Sequence, residues 1–205
     1  MYEDSYGQKK LTFIDNFGVA LSQRPILAVF DDPRYRGGSA EVLEVGCGFH
    51  APLLVSLLPR VRRAVGIDAH ISEDLKREPK LQFHEGTLDE ALPHMAGQTF
   101  DVILMISVLE HLEEPRKALE TLYAMLKPGG TLVVNVPTWN GKVALELSAF
   151  RFKLSTPESI DDHKTYYDKR DLWPLLVAAG FKPSQISMRY HKFSLNLFAV
   201  CKKPG

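Results

Sequence analysis

Val42-Leu43-Glu44-Val45-Gly46-Cys47-Gly48 is the stretch on which the fold of this chain turns. Glu41 to Val45 is a short apolar run of the kind that forms a buried strand, and Ala51 to Leu58 reads as a helix. Gly46-Cys47-Gly48 lies at the junction. Glycines there let the backbone turn sharply and approach a ligand, while the helix that follows offers free N–H groups. Asp68 follows the next apolar run, Ala64 to Ile67, where a carboxylate can accept both hydroxyls of a ribose. Gly46 to Ala51 also satisfies the pattern G-x-G-x-x-G/A, with Asp68 at about the expected distance of ~20 residues.

Outward from this stretch, apolar runs alternate with helical patterns. Leu81 to His84 is a weak strand, and Asp101 to Ile106 and Thr131 to Val136 are strong ones. Arg116 to Leu126 reads as a helix with Leu119, Leu122, Tyr123 and Leu126 on one face; Pro115 suits its first turn and Pro128-Gly129-Gly130 stops it. Such alternation implies βαβ units in a parallel, doubly wound sheet with helices on both faces. Towards the C-terminus Asp171 or Asp168 can cap a helix that runs to Gly180, and a start near Asp171 is preferred because it puts Pro174 in the first turn. Phe181 to Arg189 and Phe193 to Cys201 follow as two strands, and their short link suits an antiparallel pair. Residues 10–22 carry Phe13, Ile14, Phe17, Ala20 and Leu21 at helical spacing, and Val143, Leu147, Phe150 and Leu154 suit one face of another helix.

The 205 residues suffice for one domain with a full core. Hydrophobic residues make up 45% and charged residues 24%, the balance of a globular protein rather than a disordered one. Lys plus Arg equals Asp plus Glu at 25 each, so the basic excess of a nucleic-acid binder is missing. No signal peptide and no apolar run long enough to span a bilayer is visible. Cys47 and Cys201 lie far apart and outside any CxxC pattern, which suggests neither a disulfide framework nor a zinc site. A cytoplasmic protein is the expectation.

The glycine pattern alone leaves two cofactors open, a nicotinamide dinucleotide and S-adenosylmethionine. Glu44-Val45-Gly46-Cys47-Gly48 resembles the first motif of class I S-adenosylmethionine-dependent methyltransferases, E/D-x-G-x-G. The resemblance continues in order through Val65-Gly66-Ile67-Asp68, Phe100-Asp101-Val102-Ile103, Ser107-Val108-Leu109-Glu110-His111-Leu112 and Leu126-Lys127-Pro128-Gly129-Gly130-Thr131-Leu132. It implies an α/β fold: a doubly wound, Rossmann-like, seven-stranded and mostly parallel sheet with the last strand antiparallel. Residues 40–205 would be the methyltransferase domain, 1–39 a helical cover or lid, and 138–167 a lid insertion within the same single domain.

By the same resemblance S-adenosyl-L-methionine is the cofactor. Gly46, Cys47 and Gly48 would pass under its amino-acid part, Glu44 would orient that end, and Asp68 would bind the ribose, with Ala69 or His70 beside the adenine. Many relatives have a glycine at His50, and a stiffer loop or a reach of His50 towards the cofactor carboxylate follows. Many carry an Asp where this chain has Thr87, so adenine recognition would rest on Thr87, Leu88 and backbone groups. Ser107 would line the floor near the methyl group.

An oxygen acceptor must lose a proton, for which a His or carboxylate is the usual base. His111 and His163 are the candidates, each with a plainer role open to it, in pinning a helix start and in closing the pocket. His191, between the last two strands, reads as a solvated loop residue. Adjacent pairs such as Glu110 with His111 diverge, so no metal is expected. Trp139, Asn140 and Tyr166 are candidates for holding the acceptor, a small molecule or a glycan, although the 138–165 segment could equally be a packed lid or touch a lipid surface. A monomer or homodimer is expected. A non-catalytic S-adenosylmethionine-binding protein and a nicotinamide-dependent oxidoreductase are the competing readings.

Overall fold

The computed structural model of the chain describes residues 23–35, 37–143 and 164–205. The helix expected over 10–22, the face formed by Leu147, Phe150 and Leu154, and His163 lie outside the described residues. Seven strands are formed: β1 (Ala40–Val45), β2 (Val61–Asp68), β3 (Leu81–Glu85), β4 (Phe100–Ile106), β5 (Leu126–Pro137), β6 (Ile186–His191) and β7 (Asn196–Lys202). They make one sheet in the order β3-β2-β1-β4-β5-β7-β6. β1–β2, β2–β3 and β4–β5 pair in parallel, and β7 is antiparallel to both its neighbours. The expected α/β architecture is thus present, with the antiparallel last strand lying between β5 and β6. The chain falls into two compact units, Met1–His94 and Met95–Gly205.

In the first unit, β1 and β2 read as near-continuous apolar runs because both faces are covered, as in parallel sheets generally. Val42, Leu43, Ala64 and Val65 are all fully buried. Helix α1 (Pro52–Leu57) starts on a proline, whose missing N–H costs nothing there, and buries Leu53, Leu54 and Leu57. Helix α2 (Leu88–Ala91) is short and held by a capping box: Glu90 N–H donates to Thr87 Oγ1 at 3.3 Å, and Thr87 N–H donates to Glu90 Oε2 at 2.7 Å.

In the second unit, Val102 to Met105 of β4 are fully buried, as are Leu132 to Val134 of β5. Helix α3 (Pro115–Met125) buries Leu119, Leu122 and Met125, and Leu126 already belongs to β5. Phe100 pairs with Leu126 but Val102 with Thr131, so Pro128-Gly129-Gly130 is taken up as an irregularity in the strand.

Helix α4 (Lys169–Ala178) corrects the expected start at Asp171. Asp171 is not the cap but the partner of the cap: Asp168 N–H donates to its Oδ2 at 2.8 Å. That satisfies the helix end two residues earlier and leaves Pro174 inside the helix. Phe181 is buried but packs edge-on to Tyr123 at 4.9 Å rather than starting a strand. β7 begins at Asn196, not at Phe193, because residues 192–195 form the turn.

Candidate functional site

The first unit holds ten of the residues singled out in the sequence. β1 delivers Glu44 to the foot of the glycine loop, where it is 3% exposed and its Oε2 has no hydrogen-bond partner. Burial, and then the charge of Asp68, push this carboxyl well above the usual carboxylate range. Gly46 and Gly48 both take φ +75°, a conformation that side chains disfavour. Gly48 N–H donates to Asp68 Oδ2 at 2.7 Å, so the carboxylate at the end of β2 holds the loop of β1.

Cys47 plays a different part from its neighbours. Its N–H and that of Gly46 both donate to Ile67 O, at 3.1 and 2.8 Å, and its side chain is buried. Gly66 makes that burial feasible: a Cβ there would stand 2.7 Å from Cys47 Sγ and 2.8 Å from the Phe83 ring. Burial pushes the thiol far up, so it stays a neutral packing group. Ala69 and His70 are exposed beyond β2, and His50 stacks edge-on against Phe49 at 4.8 Å. The Thr87 hydroxyl is spent on the capping box, and Leu88 is buried, so neither side chain offers a spare polar group to an adenine.

This set fits S-adenosylmethionine. The ammonium of its amino-acid end would answer the buried Glu44 oxygen, and the Asp68 carboxylate stands where ribose hydroxyls can donate.

The second unit holds the remaining described candidates. Ser107, just past β4, takes φ +56°, a strain of order 1–2 kcal/mol for a residue with a Cβ, and its N–H donates to Asn135 O at 2.8 Å. A 3₁₀ turn, Leu109–His111, then buries Glu110 and exposes His111. Glu110 is 1% exposed with neither carboxyl oxygen partnered, and burial pushes it up to about 8. Its carbonyl accepts N–H from Lys164 at 2.9 Å and Thr165 at 3.3 Å, which brings the segment leading to Tyr166 alongside. Tyr167 O–H donates to Leu109 O at 3.4 Å, and burial, then the Glu110 charge, push that phenol up to about 12. Trp139, about half exposed, meets buried Tyr166 at 5.7 Å between ring centroids, and Asn140 is exposed.

His191 is not the solvated loop residue expected. It is half-buried as the last residue of β6, and its Nε2 is 2.6 Å from Asn135 Oδ1. Burial, then the charges of Lys192 and Arg189, lower it to about 4, so it stays neutral and its Nε2–H donates to the amide. Asn135 is a buried polar residue that the sequence reading passed over, and the burial of Glu110 is a feature it did not foresee. Each sits in an apolar context, and a polar residue at a core position is itself a signal. Among the described residues no group of three or more His, Cys, Asp or Glu could hold a metal ion, and no helix is long and apolar enough to cross a membrane.

Comparison with known proteins decides what this geometry belongs to. The family model described as a methyltransferase domain matches residues 21–186. The chain is a member of that methyltransferase family. Its methyltransferase domain is of the S-adenosylmethionine-dependent kind, and the choice of cofactor that the glycine pattern leaves open falls to S-adenosylmethionine. A Mycolicibacterium smegmatis relative named for S-adenosylmethionine-dependent methyl transfer is 30% identical over 114 residues, which span 53% of this chain and 42% of that protein. A ubiquinone biosynthesis O-methyltransferase of Aeromonas salmonicida is 25% identical over 171 residues, spanning 78% of this chain and 71% of that one. The chain thus spans less than half of the first relative's length. Among solved structures, the plantazolicin methyltransferase BpumL in complex with SAH superposes with a TM-score of 0.68 at 18% identity, over 92% of this chain and 85% of that one. At that identity the likeness speaks for the fold.

Proposed function

We propose that this methyltransferase acts on a hydroxyl of a small molecule or a glycan, by in-line transfer. The observation that carries the reading is the Trp139–Tyr166 aromatic pair, with Tyr166 following Lys164 and Thr165, whose backbone is fastened to the turn that exposes His111. An aromatic pair of this kind stacks on a ring or a sugar face, and a nearby imidazole can accept the proton that a hydroxyl must lose. The O-methyltransferases of ubiquinone biosynthesis among the relatives point the same way.

S-adenosylmethionine supplies a methyl group already activated on a positively charged sulfur. The chain's own residues then bind, align and exclude water. Glu44, Gly46 and Gly48 hold the amino-acid end, with Cys47 packing the loop from behind. Asp68 takes the ribose, Ala69, His70, Thr87 and Leu88 surround the adenine, and Ser107 lines the methyl side. Trp139, Asn140 and Tyr166 hold the acceptor, and His111 takes its proton, with His163 a second candidate outside the described residues. On this reading residues 40–205 form the methyltransferase domain, 138–167 select the acceptor and 1–39 cover it. The two buried free thiols, Cys47 and Cys201, suit the reducing cytoplasm.

The test is release of S-adenosylhomocysteine from S-adenosylmethionine in the presence of pooled phenolic and glycan acceptors. The wild type should release it, and His111→Ala should be slower by about 10²-fold or more with cofactor binding unchanged. No release with any acceptor would favour a binding protein, and equal rates for the variant would remove His111 as the base.

A further inference from the structure

The turn between β6 and β7 is built from residues unsuited to it. Lys192, Phe193 and Ser194 take φ +51°, +57° and +65° in succession, and Leu195 N–H donates to Lys192 O at 3.1 Å. Positive φ at both central residues is what Asn-Gly supplies readily, yet here Phe193 and Ser194 do it, with Phe193 93% exposed. Strained backbone of this kind persists only where its surroundings enforce it, and it gathers at functional sites. The enforcing contacts come from the segment after β5: Thr138 N–H donates to Leu195 O at 3.0 Å and Thr138 Oγ1 donates to Ser194 O at 2.7 Å. The turn is therefore fastened to the residues beside Trp139.

β6 and β5 run in the same direction, each antiparallel to β7, so this turn stands at the carboxyl end of the sheet. Ligands of open α/β sheets bind at that end. Within the two segments that meet at this turn every charged residue is basic. Residues 137–143 and 189–195 contain Lys142, Arg189 and Lys192 and no Asp or Glu, in a chain whose formal net charge is zero. Lys192 is half-buried, burial lowers the pKa of its ammonium, and among the described residues no ion pair to a carboxylate is formed by it. A cation held partly out of water without a counter-charge is a cost that an anionic ligand would remove. Beside it, His191 is fixed by Asn135 and stays neutral.

We propose that Lys192, flanked by His191 on Asn135, is a subsite for an anionic group carried by the methyl acceptor, a phosphate or a carboxylate next to a ring that the Trp139 side receives. This rests on the reading of residues 138–167 as the acceptor-selecting segment and narrows the acceptor to an anionic class. Arg189 adds to the field but its guanidinium already lies over the Phe198 ring, 5.4 Å from the centroid.

The test is equilibrium binding of phenyl phosphate, benzoate and phenol to the protein loaded with S-adenosylhomocysteine, for the wild type, Lys192→Met and Lys192→Arg. Loading is verified first and no turnover is needed, so a failure of the methyl-transfer reading and a failure of the subsite show up in different measurements. At least one anion should bind tenfold or more tighter than phenol; phenyl phosphate ahead of benzoate marks a phosphorylated acceptor, and the reverse order an acidic one. Lys192→Met should lose that preference by about tenfold with its thermal unfolding unchanged, and Lys192→Arg should keep it. Anions that bind no better than phenol, or a preference that survives in Lys192→Met, would overturn the proposal.

Discussion

Glu110 and Glu44 are carboxyls whose inner oxygens find no hydrogen-bond partner among the described residues. For Glu110 the consequence can be followed with pH. Below the unfolded value of about 4.3 both states carry the proton and the stability is fully present. As pH rises from there to the folded value of about 8, the unfolded chain gives up a proton that the folded chain keeps, so stability falls. The loss is on the order of a few kcal/mol and is complete above that folded value. Glu110→Gln has nothing to titrate. Urea unfolding at pH 5 and at pH 8.5 should therefore show the wild type losing stability to a degree that the variant does not; parallel losses would mean that this carboxyl is ionised in the fold. Neither carboxyl announces its raised pKa in the sequence. Glu44 is recognisable by its place two residues before Gly46, but its burial depends on β2 and on Asp68 lying against it. Asn135 and His191 were illegible for a related reason: they are far apart in the sequence and meet only because β7 lies between their strands.

Among the elements, the strands of the parallel half were the most legible, because a strand buried on both faces leaves an unbroken apolar run. Ends were less so. Asp168 and Asp171 both look like caps, and only the hydrogen bond between them shows which is the first. The β6–β7 turn was expected but placed too early, before Phe193, because Lys192-Phe193-Ser194 lacks the Gly and Asn residues that mark such turns, so Phe193 read as strand. The contact between β2 and the glycine loop carries a prediction at this scale. Gly66→Ala puts a methyl group within 2.8 Å of Cys47 Sγ and the Phe83 ring, all buried or half-buried, so it should destabilise the protein by about 1–3 kcal/mol. Adding Cys47→Ala should return part of that loss by making room. Denaturant midpoints of the single and double variants check it, and a Gly66→Ala variant as stable as the wild type would mean that the glycine loop does not lean on β2 as described.

Over the whole chain, the strand order β3-β2-β1-β4-β5-β7-β6 was legible as a class: alternating elements with a closely linked final pair. That β7 inserts between β5 and β6 was not, since a hairpin's register with a third strand leaves no mark in its own residues. Identity of the cofactor was legible from five segments in order, and the acceptor was not, because the residues after β5, to which we assign its selection, carry no motif of that kind. The central claim is that Glu44 to Asp68 forms the S-adenosylmethionine site. It is tested most directly by calorimetric titration of S-adenosylhomocysteine and NAD into the wild type and Asp68→Ala. The account predicts one S-adenosylhomocysteine per chain for the wild type, binding weaker by about tenfold or more for Asp68→Ala, in line with the loss of hydrogen bonds to a charged group worth ~1.5–3 kcal/mol, and no heat with NAD. Equal affinity in the variant, or NAD binding in place of S-adenosylhomocysteine, would contradict it.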